Sequence, residues 1–249
     1  MAGDIQDNRG RGEALTNFPR IHPEGRKFGL AVLGLSLVTA WFAWETIAWP
    51  LFFLSLLVFA FFRDPERVVP QDERFIVAPA DGRVVQITEV EPPRELVVDD
   101  GSDTEGLPPV PVIRISIYLS LLDVHINRTP IGGMVRRVIY IPGKFINSDL
   151  DKASEDNERQ HFLIERSDGL KVGMTQIAGL VARRIVAFAK PGDTLGVGQR
   201  VGMIRFGSRV DVYLPAGTGS YVMLGQKTVA GETVLAAVGS QPLLEGVSQ

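Results

Sequence analysis

The chain has no cysteine, so a disulfide framework, a thiolate nucleophile and a cysteine-ligated zinc site are all excluded. Imidazole is nearly as scarce, with only His22, His125 and His161 present, and no metal is expected. Nor is there a surplus of positive charge: 26 Lys and Arg stand against 29 Asp and Glu, a formal net charge of −3, with a pI near 5.7. No nucleic-acid partner is expected, because such partners are met by strongly basic surfaces. Ser208 lacks the G-x-S-x-G context of an α/β-hydrolase elbow. What is present is 249 residues at 45% hydrophobic content, enough to bury one generous domain core with apolar sequence to spare.

The surplus is concentrated in residues 28–62, "FGLAVLGLSLVTAWFAWETIAWPLFFLSLLVFAFF", whose only formal charge is Glu45. The run exceeds one span of ~20 residues and is short for two, so a break at "WETIAWP" predicts a transmembrane hairpin of two helices of roughly 16 residues each. Trp41, Trp44 and Trp49 cluster at the turn, where the indole ring suits a water–lipid interface. Arg9, Arg11, Arg20, Arg26 and Lys27 precede the run and Arg63 and Arg67 follow it, while the turn has neither Lys nor Arg. The positive-inside tendency then puts both flanks, and all that follows, on the cytoplasmic side of the cell (inner) membrane. Residues 1–27 read as a polar tail. A cleaved signal peptide fits poorly, because the run starts late and no small-residue cleavage site follows it.

From residue 63 onward the chain reads as mainly β. "FIVAPADGRVVQITEV", "VIRISIYLS", "GMVRRVIYIPG", "RQHFLIERSDGLKVGMTQIAG", "RIVAFAK" and "GMIRFGSRVDVYLP" are rich in Val, Ile and aromatics, with Gly, Pro, Asp or Asn between them. "APADGRVVQI" and "KPGDTLGVGQRVGMI" resemble the two halves of a lipoyl- or biotin-carrier-like barrel-sandwich, which needs Gly at turns and β-branched residues on the pleats. A carrier also displays a Lys beside Met at a hairpin tip, and that hairpin is missing.

Taken singly, the candidate chemical groups are weak. Asp81 in "PADG" is by default a turn residue. His125 follows a strand with Asp123 and Arg128 nearby, and His161 alternates with apolar residues like a strand-surface side chain. Gly207-Ser208 interrupts a strand pattern, which marks a bend or a close approach to the backbone. Two readings follow from the residues alone: a membrane-tethered non-catalytic carrier-like adaptor, and a membrane-anchored hydrolase using Ser208 uncut.

Their order along the chain is more specific. "FFRDPER" after a hydrophobic hairpin, "PADG", "DVHINRTP", "NER" and "FGSRVD" near the C-terminal end together resemble the short form of phosphatidylserine decarboxylase, a pyruvoyl-dependent enzyme family, over Phe28 to Ala237. The resemblance implies self-cleavage between Gly207 and Ser208 into a large chain (1–207) and a small chain (208–249) that stay together as a heterodimer, open to further oligomerisation. It implies that Asp81 and His125 activate Ser208, which becomes the pyruvoyl cofactor. It implies decarboxylation of phosphatidylserine to phosphatidylethanolamine in phospholipid biosynthesis, on a phospholipid substrate held in a membrane. Arg159 of "NER" and Arg128 are the candidate contacts to the substrate phosphate, with Arg183 and Arg184 behind them. Longer bacterial members carry a second histidine where Arg128 stands here, so matching on "DVH" puts the catalytic imidazole at His125. Their Leu-Gly-Ser is Phe206-Gly207-Ser208 here.

Overall fold

The computed structural model describes residues 19–97, 106–143, 157–179, 184–205, 208–242 and 244, and the chain divides into two compact units at Val68/Val69. In the first unit two helices, Pro23–Trp41 and Glu45–Phe61, pack against each other. Short strands β1 (Arg20–Ile21) and β2 (Arg63–Asp64) pair antiparallel at the open end. The turn falls at residues 42–44, with Ala43 in the left-handed region at φ 57°. This is earlier than the break expected at "WETIAWP", and Pro50 lies inside the second helix.

Small and polar side chains line the seam of this hairpin. A Cβ at Gly29 would lie 2.2 Å from the Phe59 ring, so only glycine admits the partner helix there, and the Ser36 hydroxyl donates to Ala48 O at 2.8 Å. Phe28, Leu37, Trp41, Trp49 and Phe53 point outward and are exposed. The expectation of two full crossings is corrected, because neither helix is long and apolar enough to cross a membrane. The helices have 19 and 17 residues, the first opens on the polar turn "PEGRK", and at ~1.5 Å per residue both fall short of a hydrocarbon core about 30 Å thick.

The second unit is mainly β, as expected. Its strands are β3 (Phe75–Val77), β4 (Gly82–Val90), β5 (Val112–Leu119), β6 (Ile126–Arg128), β7 (Gly133–Ile141), β8 (Arg159–Glu165), β9 (Lys171–Ala178), β10 (Ile185–Ala187), β11 (Thr194–Leu195), β12 (Arg200–Ile204), β13 (Ser208–Tyr213), β14 (Lys227–Thr228) and β15 (Val234–Ala237). Eight of them form one curled sheet in the order β11-β7-β8-β9-β13-β5-β4-β14, while β10-β12-β6 and β15-β3 form smaller sheets. The dominance of one large sheet departs from two matched sandwich halves. Register shifts at Val84/Gln86 and at Val135/Arg137 mark bulges, the device that bends a sheet.

The large sheet buries both faces. Ile115, Ile117, Phe162, Met174, Val210 and Val212 belong to the main core on the inner face. Leu96, Leu107, Val112, Leu163 and Tyr213 form a smaller core on the outer face. Gly82 opens β4 where φ is +153° and a Cβ would lie 2.1 Å from the Tyr118 carbonyl oxygen. Gly82→Ala is expected to cost about 2 kcal/mol or more, read as a lower urea midpoint of the β-rich unit. Gly34→Ala, where a Cβ meets nothing within 4 Å, is expected to be neutral or slightly stabilising in its helix.

Candidate active site where the central strands begin

β13 lies between β5 and β9, and its first residue, Ser208, pairs with Leu119 on one side and Ala178 on the other. Beyond β5, Arg83 of β4 faces Tyr118, so Gly82 lies one step further along, level with Leu119, and Asp81 precedes it. Asp81 and Ser208 thus sit at one end of the sheet two strands apart, roughly 10 Å at ~4.8 Å per strand. His125 lies in the connection from the end of β5 to β6. Three expected residues from distant parts of the chain, Asp81, His125 and Ser208, therefore converge at one sheet end.

Local hydrogen bonds hold each of them. Ala230 N–H donates to Asp81 Oδ1 at 2.8 Å, and the Thr228 hydroxyl donates to Ala80 O at 3.0 Å, so the segment around residue 230 clasps the "PADG" turn. Asp123 Oδ2 accepts from the backbone N–H and hydroxyl of Ser120 at 2.8 and 2.7 Å. These bonds tie residues 120 and 123 together in the turn that leads into His125. His125 Nδ1 lies 2.9 Å from Asp123 O. A carbonyl oxygen only accepts, so this bond places the proton on Nδ1 and leaves Nε2 with the lone pair a general base needs. Ile204 N–H donates to His125 O at 3.3 Å, which ties the end of β12 to the segment that carries the imidazole. Phe206 and Gly207 lie outside the described residues, as does Arg183.

Ser208 is fully buried, and its hydroxyl has no hydrogen-bond partner among the described residues. An orphaned buried hydroxyl is costly, so its retention at a strand start fits a group kept for chemistry. On the same face, Gln176 Nε2 donates to Asn127 Oδ1 at 2.7 Å, with both side chains buried. Nothing in the sequence marks this pair, since β6 reads INR and β9 reads KVGMTQIA, each with other polar residues beside it.

The two arginines expected at the substrate phosphate go different ways. Arg128 is buried, donates to Gly198 O at 2.9 Å, and its backbone N–H donates to Pro79 O beside the Asp81 turn. Arg159 pairs in register with Ile177, which faces Arg209, so it lies on the opposite face of the sheet from Ser208. Arg184 is exposed. His161, expected on a strand surface, is buried instead, because the outer face is itself covered.

The family model described as phosphatidylserine decarboxylase matches residues 54–236. The chain is 65% identical over 249 residues to the phosphatidylserine decarboxylase proenzyme of Novosphingobium aromaticivorans, covering 100% of this chain and 99% of that one. It is 67% identical to the proenzyme of Erythrobacter litoralis over 100% of both chains, and 55% identical to that of Zymomonas mobilis over 90% of this chain and 89% of that one. A match of this extent, on a chain whose Ser208, His125 and Asp81 meet at one sheet end, has one reading: the chain belongs to the phosphatidylserine decarboxylase family.

Proposed function

We propose that the chain is a proenzyme that cuts itself between Gly207 and Ser208 and then decarboxylates phosphatidylserine to phosphatidylethanolamine. Full-length identity to relatives named as proenzymes of this enzyme carries the reading, and sets aside the carrier-like adaptor and the uncut hydrolase. The buried Ser208 hydroxyl, without a hydrogen-bond partner among the described residues, supports the processing step. His125 Nε2 takes the Ser208 hydroxyl proton and Oγ attacks the Gly207 carbonyl, exchanging the peptide for an ester. Asp81 supplies the negative charge that favours the protonated imidazole. Loss of the Ser208 Cα proton expels the Gly207 carboxylate, and water then releases ammonia, leaving a ketone at residue 208. That pyruvoyl group supplies the electron sink that the departure of CO2 requires. In this reading Arg128 provides the cation for the head-group phosphate.

Cutting at residue 208 need not release the small chain. β13 is hydrogen-bonded on both edges by β5 and β9 of the large chain, and β14 and β15 pair with β4 and β3. The hairpin supports a membrane role through its inverted pattern, polar and small at the seam and apolar outside. It inserts into the bilayer without crossing it, and keeps the enzyme on the cytoplasmic face where its substrate is held.

Ser208→Ala is expected to give a single uncut chain without activity, and His125→Ala to slow the cut by about 10²–10⁴-fold, both read from a denaturing gel. Normal maturation of His125→Ala would remove the proposed base. Hydroxylamine, or borohydride with substrate, is expected to inactivate the mature enzyme and to shift the mass of the small chain alone. Leu37→Lys with Phe53→Lys is expected to reduce flotation of the full chain with phospholipid vesicles. Unchanged flotation would remove the hairpin from the membrane.

A further inference from the structure

The outer face of the large sheet carries polar groups for which the chemistry at residue 208 has no use. Arg209, Asp211 and Tyr213 point to it, opposite Ser208, Val210 and Val212. Arg209 and Asp211 meet each other at 3.0 Å in full burial. Across β9, His161 pairs with Thr175, and its Nδ1 lies 2.7 Å from the Thr175 hydroxyl. The ring is 2% exposed, and its Nε2 has no hydrogen-bond partner among the described residues. Burial lowers its pKa to about 4, so the ring is neutral at physiological pH. When Thr175 donates to Nδ1, Nε2 carries the proton and becomes a donor in search of an acceptor.

The ring lies beneath a cavity of about 350 Å³, walled by residues 90–95 on one side and by Arg114, Arg159, His161 and Tyr213 on the sheet side, with Nε2 itself closed off from it. The wall over the sheet is anchored. Leu96 is fully buried in the outer core, and Arg137 donates to Glu95 O and Val97 O at 3.4 and 3.3 Å. Arg94, Arg114 and Arg159 line it together with Glu91 and Glu95. Arg114 donates to Gln86 Oε1 at 2.7 Å, and Arg159 lies 3.9 Å from Glu95. Cations beside two carboxylates match a ligand that carries both charges.

We propose that this cavity binds a phosphate ester bearing an ammonium group, the phosphate on Arg94, Arg114 and Arg159 and the ammonium toward Glu91 and Glu95, as a second site on the opposite face of the sheet from Ser208. Such a group comes either from a phospholipid head group or from a free phosphomonoester, both small enough for the volume. The site does not depend on the processing chemistry, because the uncut chain contains it whole.

The test is calorimetric titration of the full-length Ser208→Ala chain in detergent with glycerophosphoethanolamine, phosphoethanolamine, ethanolamine and inorganic phosphate. Saturable binding of one of the two phosphate esters, at least tenfold tighter than phosphate and with none for ethanolamine, is the expected result. Preference for the diester identifies a lipid head group, and preference for the monoester a soluble metabolite. Arg114→Met and Arg94→Met are expected to weaken binding at least tenfold. Glu91→Gln, at an exposed position that cannot disturb the core, is expected to erase the preference over phosphate. Absence of saturable binding, or affinities untouched by all three substitutions, would overturn the site. Equal affinity for phosphate and the esters in the Ser208→Ala chain would overturn the ammonium half.

Discussion

The interior position of β13 is the constraint on which the rest of the structure depends. A strand with a full ladder on each edge cannot leave the sheet when its first peptide bond is cut, since its backbone groups would lose their partners in a region closed to water. All six residues of β13 are buried. With the proposed cut, residue 208 would stand at a chain terminus and still be held as firmly as a core residue. Two and four positions along, Val210 and Val212 anchor the strand in the main core.

The same strand divides the domain into two chemical faces. The face of Ser208 is largely apolar, with the buried amides of Asn127, Gln160 and Gln176 among its polar groups. The other face holds the Arg209–Asp211 pair and the His161 cavity. Strand alternation forces this separation, because successive side chains point to opposite faces. Arg159 is on the far side for this reason alone, although it lies in a segment that matches the family.

Much of this was legible in the sequence. Val/Ile-rich runs broken by Gly, Pro and Asp showed a mainly β domain, and the apolar run showed a helical hairpin, because both periods depend on neighbouring residues. The long-range consequences were not legible. "RQHFLIE" looks half-exposed until residues 94–97 and 107 are seen to cover it. The position of the hairpin turn was not legible either: Ala43 carries the reversal, and Pro50 lies inside the second helix. The meeting of Asp81, His125 and Ser208 came from resemblance, since no local pattern links them. The carbonyl of Asp123 at the imidazole had no sequence signal, because every residue has a carbonyl.

The central claim is that residue 208 becomes the reactive group by breaking its own chain. Intact-mass analysis of the purified active protein tests it most directly. The account predicts two species, a large chain ending at Gly207 and a small chain starting at residue 208, the latter lighter than a serine-initiated fragment by the mass of ammonia. A single uncut chain with full activity, or a small chain beginning with an ordinary serine, would contradict it.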